Sequence, residues 1–157
     1  MGSAWSFSEN YIQRNTNYTI NNLSDDEFIL VLEGNSYNLI YVNSDGRYHT
    51  KVENFLYIDN LSGGNNNNGE YWIVKTREGT QHRFGFYDFS ELISNQNGNT
   101  SRWSLDLIND TYNNSIFYNY TENPFTNDQG VVYLDSIQYN NDKEKLIFIT
   151  NQMITLI

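Results

Sequence analysis

Two histidines, 19 carboxylates and no cysteine make up the reactive inventory of this 157-residue chain. A hydrolytic triad needs a histidine oriented by a carboxylate and set beside a nucleophile. His49 and His82 both fall inside predicted strands, and His82 alternates with Phe84 and Phe86, the setting of a sheet residue rather than a base. So few histidines, with no thiolate to help, argue against a zinc site. Paired carboxylates can cleave glycosidic bonds. Here Asp25, Asp26, Asp45, Glu78, Asp110 and Asp142 instead fall in turns, where solvated acids belong. The segment from Asp59 to Glu70 has an acid at each end and Gly64 at its centre, an echo of a twelve-residue calcium loop. Leu61 and Gly63 stand where that loop needs oxygen ligands, so residues 60–69 read as a flexible, solvated Gly/Asn loop. No catalytic residue, metal ligand or cofactor is assigned.

The remaining groups able to do recognition chemistry are aromatic. Trp72, Trp103 and Tyr118 could form a flat platform for sugar rings; the competing reading is that they fill the packed face of a sheet. The pattern around them decides which elements must position them. Residues 71–85 and 103–120 each carry an aromatic-rich strand, a polar turn and a second strand, the signature of a β-hairpin. In the second, Trp103, Leu105 and Leu107 share one face and Ser104 and Asp106 the other, which predicts one buried and one wetted face. Gly79 supplies a left-handed residue to the first turn, and Asn113 can do so in the second.

The rest of the chain reads in the same way. Residues 1–22 are a mixed N-terminal segment. Residues 28–32 are an apolar run suited to a strand buried on both faces, with its return over 38–43 and a turn at Asn43-Ser-Asp-Gly46. Strands are expected at 47–52, 54–59, 131–139 and 146–157, with turns or loops at 95–101, 122–130 and 140–145. Residues 88–94 are the best place for a short helix, capped by Asp88 or Ser90. The fold class that follows is all-β: a twisted antiparallel meander of β-hairpins in a single module spanning 1–157.

Composition narrows the partners. Aromatics are 16% of the chain against a single proline, a balance that favours strands. A net charge of −10 and nine scattered basic residues exclude a phosphate-tracking surface and disfavour anionic membranes. No apolar run reaches membrane-spanning length, and no signal-peptide core follows Met1. Met-Gly-Ser at the start reads as a cloning scar or the beginning of an excised fragment. Seven asparagines (17, 22, 60, 99, 109, 113 and 119) sit in glycosylation sequons, against roughly four expected by chance. The chain closes on the apolar Met153-Ile-Thr-Leu-Ile157, an open edge that invites edge-to-edge self-association and reads as part of something longer.

An ordered set of motifs resembles a known family. Trp72-x-Val74, Glu78-Gly79-Thr80 and Phe84-Gly85 are similar to a segment of Rhs/YD-repeat proteins and of the insecticidal toxin-complex B component. Trp103-x-Leu105-x-x-Ile108-x-Asp110-x-x-x-Asn114-x-Ile116-x-Tyr118-x-Tyr120 resembles their next segment, and Tyr133-Leu-Asp-Ser-Ile-Gln-Tyr139 the strand after it. Upstream, Trp5-Ser6, Ile12-x-Arg14, Phe28-x-Leu30, Gly34 and Gly46-Arg-Tyr48 resemble the opening of the module. Asn113 stands where the family has its turn glycine, Glu78 replaces its Asp and Ala4 its first glycine, and no tyrosine–aspartate repeat proper is present.

The resemblance implies a non-catalytic early segment of a large β-sheet shell, secreted or cell-surface associated. Such a shell encloses a C-terminal toxin or other passenger, and the partners are the remaining segments of the same or a companion shell. The alternative is an extracellular glycan-binding or adhesin module that uses exposed Trp and Tyr. Neither reading involves nucleic acid or membrane insertion.

Overall fold

A computed structural model describes residues 8–122 and 132–140 in full, and 144–149 and 152–156 as backbone. Thirteen strands make one antiparallel sheet: β1 (Tyr11–Asn15), β2 (Glu27–Leu32), β3 (Asn35–Val42), β4 (Arg47–Thr50), β5 (Tyr57–Ser62), β6 (Glu70–Lys75), β7 (Gln81–Phe84), β8 (Glu91–Ile93), β9 (Thr100–Asn109), β10 (Ser115–Glu122), β11 (Val132–Tyr139), β12 (Glu144–Ile149) and β13 (Gln152–Leu156). The meander of hairpins read from the sequence is therefore the architecture. The pattern did not show that the meander closes.

Strand β1 pairs with β2 on one side and with β9 on the other, Ile12 lying opposite Trp103. Strands β1 to β7 and β9 thus form an eight-stranded closed barrel. Strand β9 is the junction. Its C-terminal half pairs with β7 and β10, and its N-terminal half with β8 and β1. From β10 the sheet runs on outside the barrel through β11, β12 and β13.

Alternation along the strands fills the barrel, as it does in small barrels generally. Ile12, Leu30, Leu39, Ile58, Trp72, Val74, Phe84, Trp103 and Leu105 form one buried cluster, and Phe28, Tyr37, Tyr48, Leu56, Ile108 and Tyr118 pack against it. Trp72 and Trp103 meet edge to face with ring centroids 5.8 Å apart, and Phe28 lies 5.0 Å from Trp72. The inside is a packed aromatic core and not a channel.

Several expectations need correction. Ser104 and Asp106 are buried rather than wetted, because residues 86–90 fold over the outer face of β9. The short helix over 88–94 is a single 3-10 turn at Asp88–Ser90 that leads directly into β8; Tyr87, not Asp88 or Ser90, takes the cap position. Strand β2 is buried on its inner face only, Ile29 and Val31 being half-covered. The fifth strand starts at Tyr57 rather than Asn54, because Asn54 Oδ1 accepts from the Thr50 hydroxyl and Leu56 N, and Phe55 is left-handed at φ 60°. The stretch 146–157 divides into parts of two strands, β12 and β13. Within the mixed segment 1–22 lies β1, the strand that closes the barrel.

The Gly/Asn run is pinned rather than loose. Residues 60–62 belong to β5, and the loop beyond folds back on the barrel. Asn66 Nδ2 donates to the carbonyls of Glu70 and Gly85, and its Oδ1 accepts from Gly69 N. Asn67 N donates to the buried Glu91 at 2.8 Å, and Asn68 Nδ2 donates to Gly98 O and to the Thr100 hydroxyl. Asparagine amides here satisfy backbone groups that a loop would otherwise leave to water.

Candidate functional site

The residues singled out in the sequence are mostly structural. Phe84 is paired with Trp72 and with Leu105, which joins the two hairpin motifs inside the barrel wall. Trp72 and Trp103 are therefore two strands apart and meet across the core instead of as direct cross-strand neighbours. Gly85, at φ 70°, donates its N–H to Ser104 O; a β-carbon there would stand 2.2 Å from Trp103 Cδ1, so only glycine fits against the indole. Val74 is fully buried, Ile108 and Ile116 are cross-strand partners on β9 and β10, and Thr80 closes the first turn through Thr76 N.

The turns match their residue types. Gly79 has φ 93° and Asn113 has φ 65°, as the left-handed positions require. Asp110 accepts from Tyr112 N, Asn114 N and Asn114 Nδ2. The Asn114 side chain, foremost among these donors, holds the carboxyl of Asp110 below its usual range. Tyr120 donates its hydroxyl to Leu105 O at 2.6 Å, and burial pushes its phenol far above the usual value. Trp5 lies outside the described residues.

These positions dismantle the sugar platform. Trp72 and Trp103 have no exposed surface, and Tyr118 is half-buried on β10, so the three offer no flat aromatic face to a ligand. Nor do the histidines make a base. His82 is buried in β7, where loss of water lowers its pKa, and no carboxylate among the described residues hydrogen-bonds to it. His49 Nε2 lies 2.7 Å from Asp45 Oδ2 at a surface turn. Asp59 and Glu70 sit on opposite strands of the β5–β6 hairpin, directed to Arg47 and Arg14, and do not converge on an ion.

Two polar clusters escaped the sequence reading. One lies under the segment that covers β9. Asp106 accepts from Arg83 Nε at 2.6 Å and Phe86 N at 2.7 Å, with the Ser90 hydroxyl 2.9 Å away. Burial pushes its carboxyl above the ordinary range, against the pull of Arg83. Beside it, Glu91 is fully buried and accepts from the Thr100 hydroxyl and Asn67 N. This cluster fastens the loop, the 3-10 turn and β9 together.

The other cluster is the mouth of the barrel, where the ends of β1, β3 and β5 meet the starts of β2, β4 and β6. A cleft of about 760 Å³ opens there. At its base Arg14 Nη1 lies 2.9 Å from Asp26 and Nη2 lies 3.3 Å from Glu70. The guanidinium also stands 5.4 Å from the Trp103 ring and 5.5 Å from Phe28, within cation–π range of both. Tyr48 and the exposed Tyr41 stand edge to face at 5.2 Å on one wall, and burial raises the phenol pKa of Tyr48. The signal was present in sequence as Ile12-x-Arg14 and Asp26-x-Phe28, where a charge keeps the parity of a core residue. It had no meaning until β1 was known to be a barrel strand.

No protein-family model and no curated protein matches this chain. Solved structures do. The N-terminal domain of the effector protein SpvB from Salmonella typhimurium superposes with a TM-score of 0.68 at 18% identity, over 92% of this chain and 61% of that one. The TcdB2–TccC3 complex gives 0.62 at 14% identity over 90% of this chain, and the Photorhabdus luminescens Tc holotoxin pore gives 0.62 at 14% over 94%. This chain spans about three fifths of the SpvB domain and less than a tenth of either toxin-complex chain. The fold is toxin-complex-like.

Proposed function

We propose that this chain is a non-catalytic structural segment of a secreted or cell-surface encapsulating β-shell of the Rhs/toxin-complex type. Its partners are the remaining segments of the same or a companion shell, which together enclose a C-terminal toxin or other passenger. The observation that carries this reading is the fold likeness over nine tenths or more of the chain to small parts of the Tc holotoxin pore and TcdB2–TccC3 chains. Two further features support it. The barrel interior is spent on packing, and the sheet leaves the barrel at β10 and continues through three more strands, with β13 paired only to β12 among the described residues. An unpaired sheet edge is the natural place for another strand to add.

The test is the structure of the complete gene product by electron cryomicroscopy. The expected result is a hollow sheet in which the free edge of β13 is continued by a further hairpin. A complete product that forms no hollow, or one in which β13 stays solvent-exposed, would overturn the reading.

A further inference from the structure

One wall of the cleft is an aromatic corner. Tyr41 and Tyr48 are direct cross-strand partners on β3 and β4, on the same strand faces as the buried Leu39 and Thr50. Their rings meet at 62° with centroids 5.2 Å apart. Tyr48 is seated on the core, 4.8 Å from Trp72 and 5.5 Å from Phe28, which fixes the corner in place. Tyr41 lines the cleft and is 54% exposed. A tyrosine ring face attracts a cation within about 6 Å. Arg14 spends its own charge lower down, against Phe28 and Trp103, and no cation among the described residues stands over Tyr41 or Tyr48.

The charge around the corner is negative. Three carboxylates line the cleft, Asp26, Glu27 and Glu70, against the single guanidinium of Arg14, an excess of two. Asp26 is buried and acts only through its field, but Glu27 is exposed and the Glu70 side chain is 44% exposed. Only one Glu70 oxygen is engaged, at 3.3 Å from Arg14. Glu70 lies two residues before Trp72 on β6, the residue on which Tyr48 packs. Its charge reaches that phenol: burial first, and then Glu70, push the pKa of Tyr48 up.

This field repels anions, and no three carboxylates or histidines among the described residues converge as metal ligands. Beside the acids, Leu23 and Ile40 line the same cleft and are 53% and 47% exposed. A lysine or arginine side chain matches that arrangement, because it carries an apolar stem behind its charge. The volume of about 760 Å³ is more than one such side chain fills, which leaves room for the chain on either side of it.

We propose that the mouth of the barrel binds a basic segment of another polypeptide. One lysine or arginine sets its charge against the Tyr41–Tyr48 corner beside Glu70 and lays its stem along Leu23 and Ile40. The net charge of −10 on the whole chain draws such a segment in. The proposal does not rest on the shell reading.

Binding of tetralysine to the 157-residue chain is followed by isothermal titration calorimetry, with Nε-acetylated tetralysine as a probe of equal length without side-chain charge. The expected result is saturable binding of tetralysine, weakened by added salt, and none of the acetylated peptide. Tyr41→Ala and Glu70→Gln, both at positions open to solvent, each weaken it about fivefold or more. Glu78→Gln, on the β6–β7 turn at the other end of the barrel, leaves it unchanged and separates a site from diffuse attraction to an acidic chain. No binding of tetralysine, equal binding of the acetylated peptide, or an unchanged affinity in Tyr41→Ala would overturn the proposal. An equal loss in Glu78→Gln and Glu70→Gln would overturn it as well, by assigning the attraction to net charge alone.

Discussion

The hairpins β6–β7 and β9–β10 read alike in sequence and do different work. Both strands of the first lie in the barrel wall, and its turn is a surface loop. The second keeps only β9 in the barrel and sends β10 out as the root of the trailing sheet. The difference comes from a strand that belongs to neither: β1 pairs along the N-terminal half of β9, so β10 can pair only with its C-terminal half. The same local pattern therefore gives a barrel stave in one place and a branch point in the other. Register within a hairpin is a local property, while its role depends on which distant edge reaches it.

The largest expected effect is at the point where the first hairpin touches the second. Gly85→Ala drives a β-carbon into the buried Trp103 ring at a left-handed backbone position, and is expected to cost about 3 kcal/mol or more in urea unfolding. If it unfolded no more readily than the wild type, the tight seam between β7 and β9 would not exist.

The two indoles sharpen the comparison further. Trp103 Nε1 donates to Glu70 O at 3.0 Å, whereas Trp72 Nε1 is buried without a hydrogen-bond partner among the described residues. Trp103→Phe should therefore cost about 1 kcal/mol more than Trp72→Phe. Equal costs would show that the junction strand holds its indole no more tightly than the stave does.

The hairpins should also answer pH with opposite signs. Burial lowers the pKa of His82 on β7 below 6.5, so the unfolded chain takes up its proton first. Stability is lost as pH falls from 6.5 through the folded value. Burial raises the pKa of Asp106 on β9 above 3.8. Its contribution is present in full below 3.8 and is lost as pH rises through the folded value. Thermal unfolding across this range should lose the first slope in His82→Leu and the second in Asp106→Asn. A slope that persists in its own variant would assign it to another group.

The smallest effects lie in the turns. Gly79→Ala should cost about 1 kcal/mol, because its left-handed φ suits glycine. Asn113→Gly should change stability by less than about 0.5 kcal/mol, because asparagine already tolerates that region. Chemical denaturation of the two variants side by side checks both.

What the sequence revealed was local. Gly79 and Asn113 marked their turns because few residues accept positive φ, and Trp72 and Trp103 marked the core because alternation places them there. Ring closure was hidden, since nothing in Ile12-x-Arg14 names Trp103 as a partner. The burial of Asp106 was hidden for a related reason: the cover over it comes from residues 86–90, whose path depends on a carboxylate in a later strand. The mouth was the least visible feature. Arg14, Asp26, Asn60 and Glu70 stand together only after the ring has closed, and each alone looks like an ordinary solvated residue.

Closure of the ring also sets a timetable. Gln13 and Arg102, partners across the β1–β9 seam, are 89 residues apart in the chain. During synthesis β1 must wait with one edge unpaired until β9 has emerged, which exposes it to pairing with other nascent chains. Long-range strand pairing of this kind belongs to the slow end of folding rates, milliseconds to seconds for β-rich domains. A polar, hydrogen-bonding edge with Gln13 and Arg14 at its centre and asparagine at its end is a less adhesive surface to leave waiting than an apolar one would be.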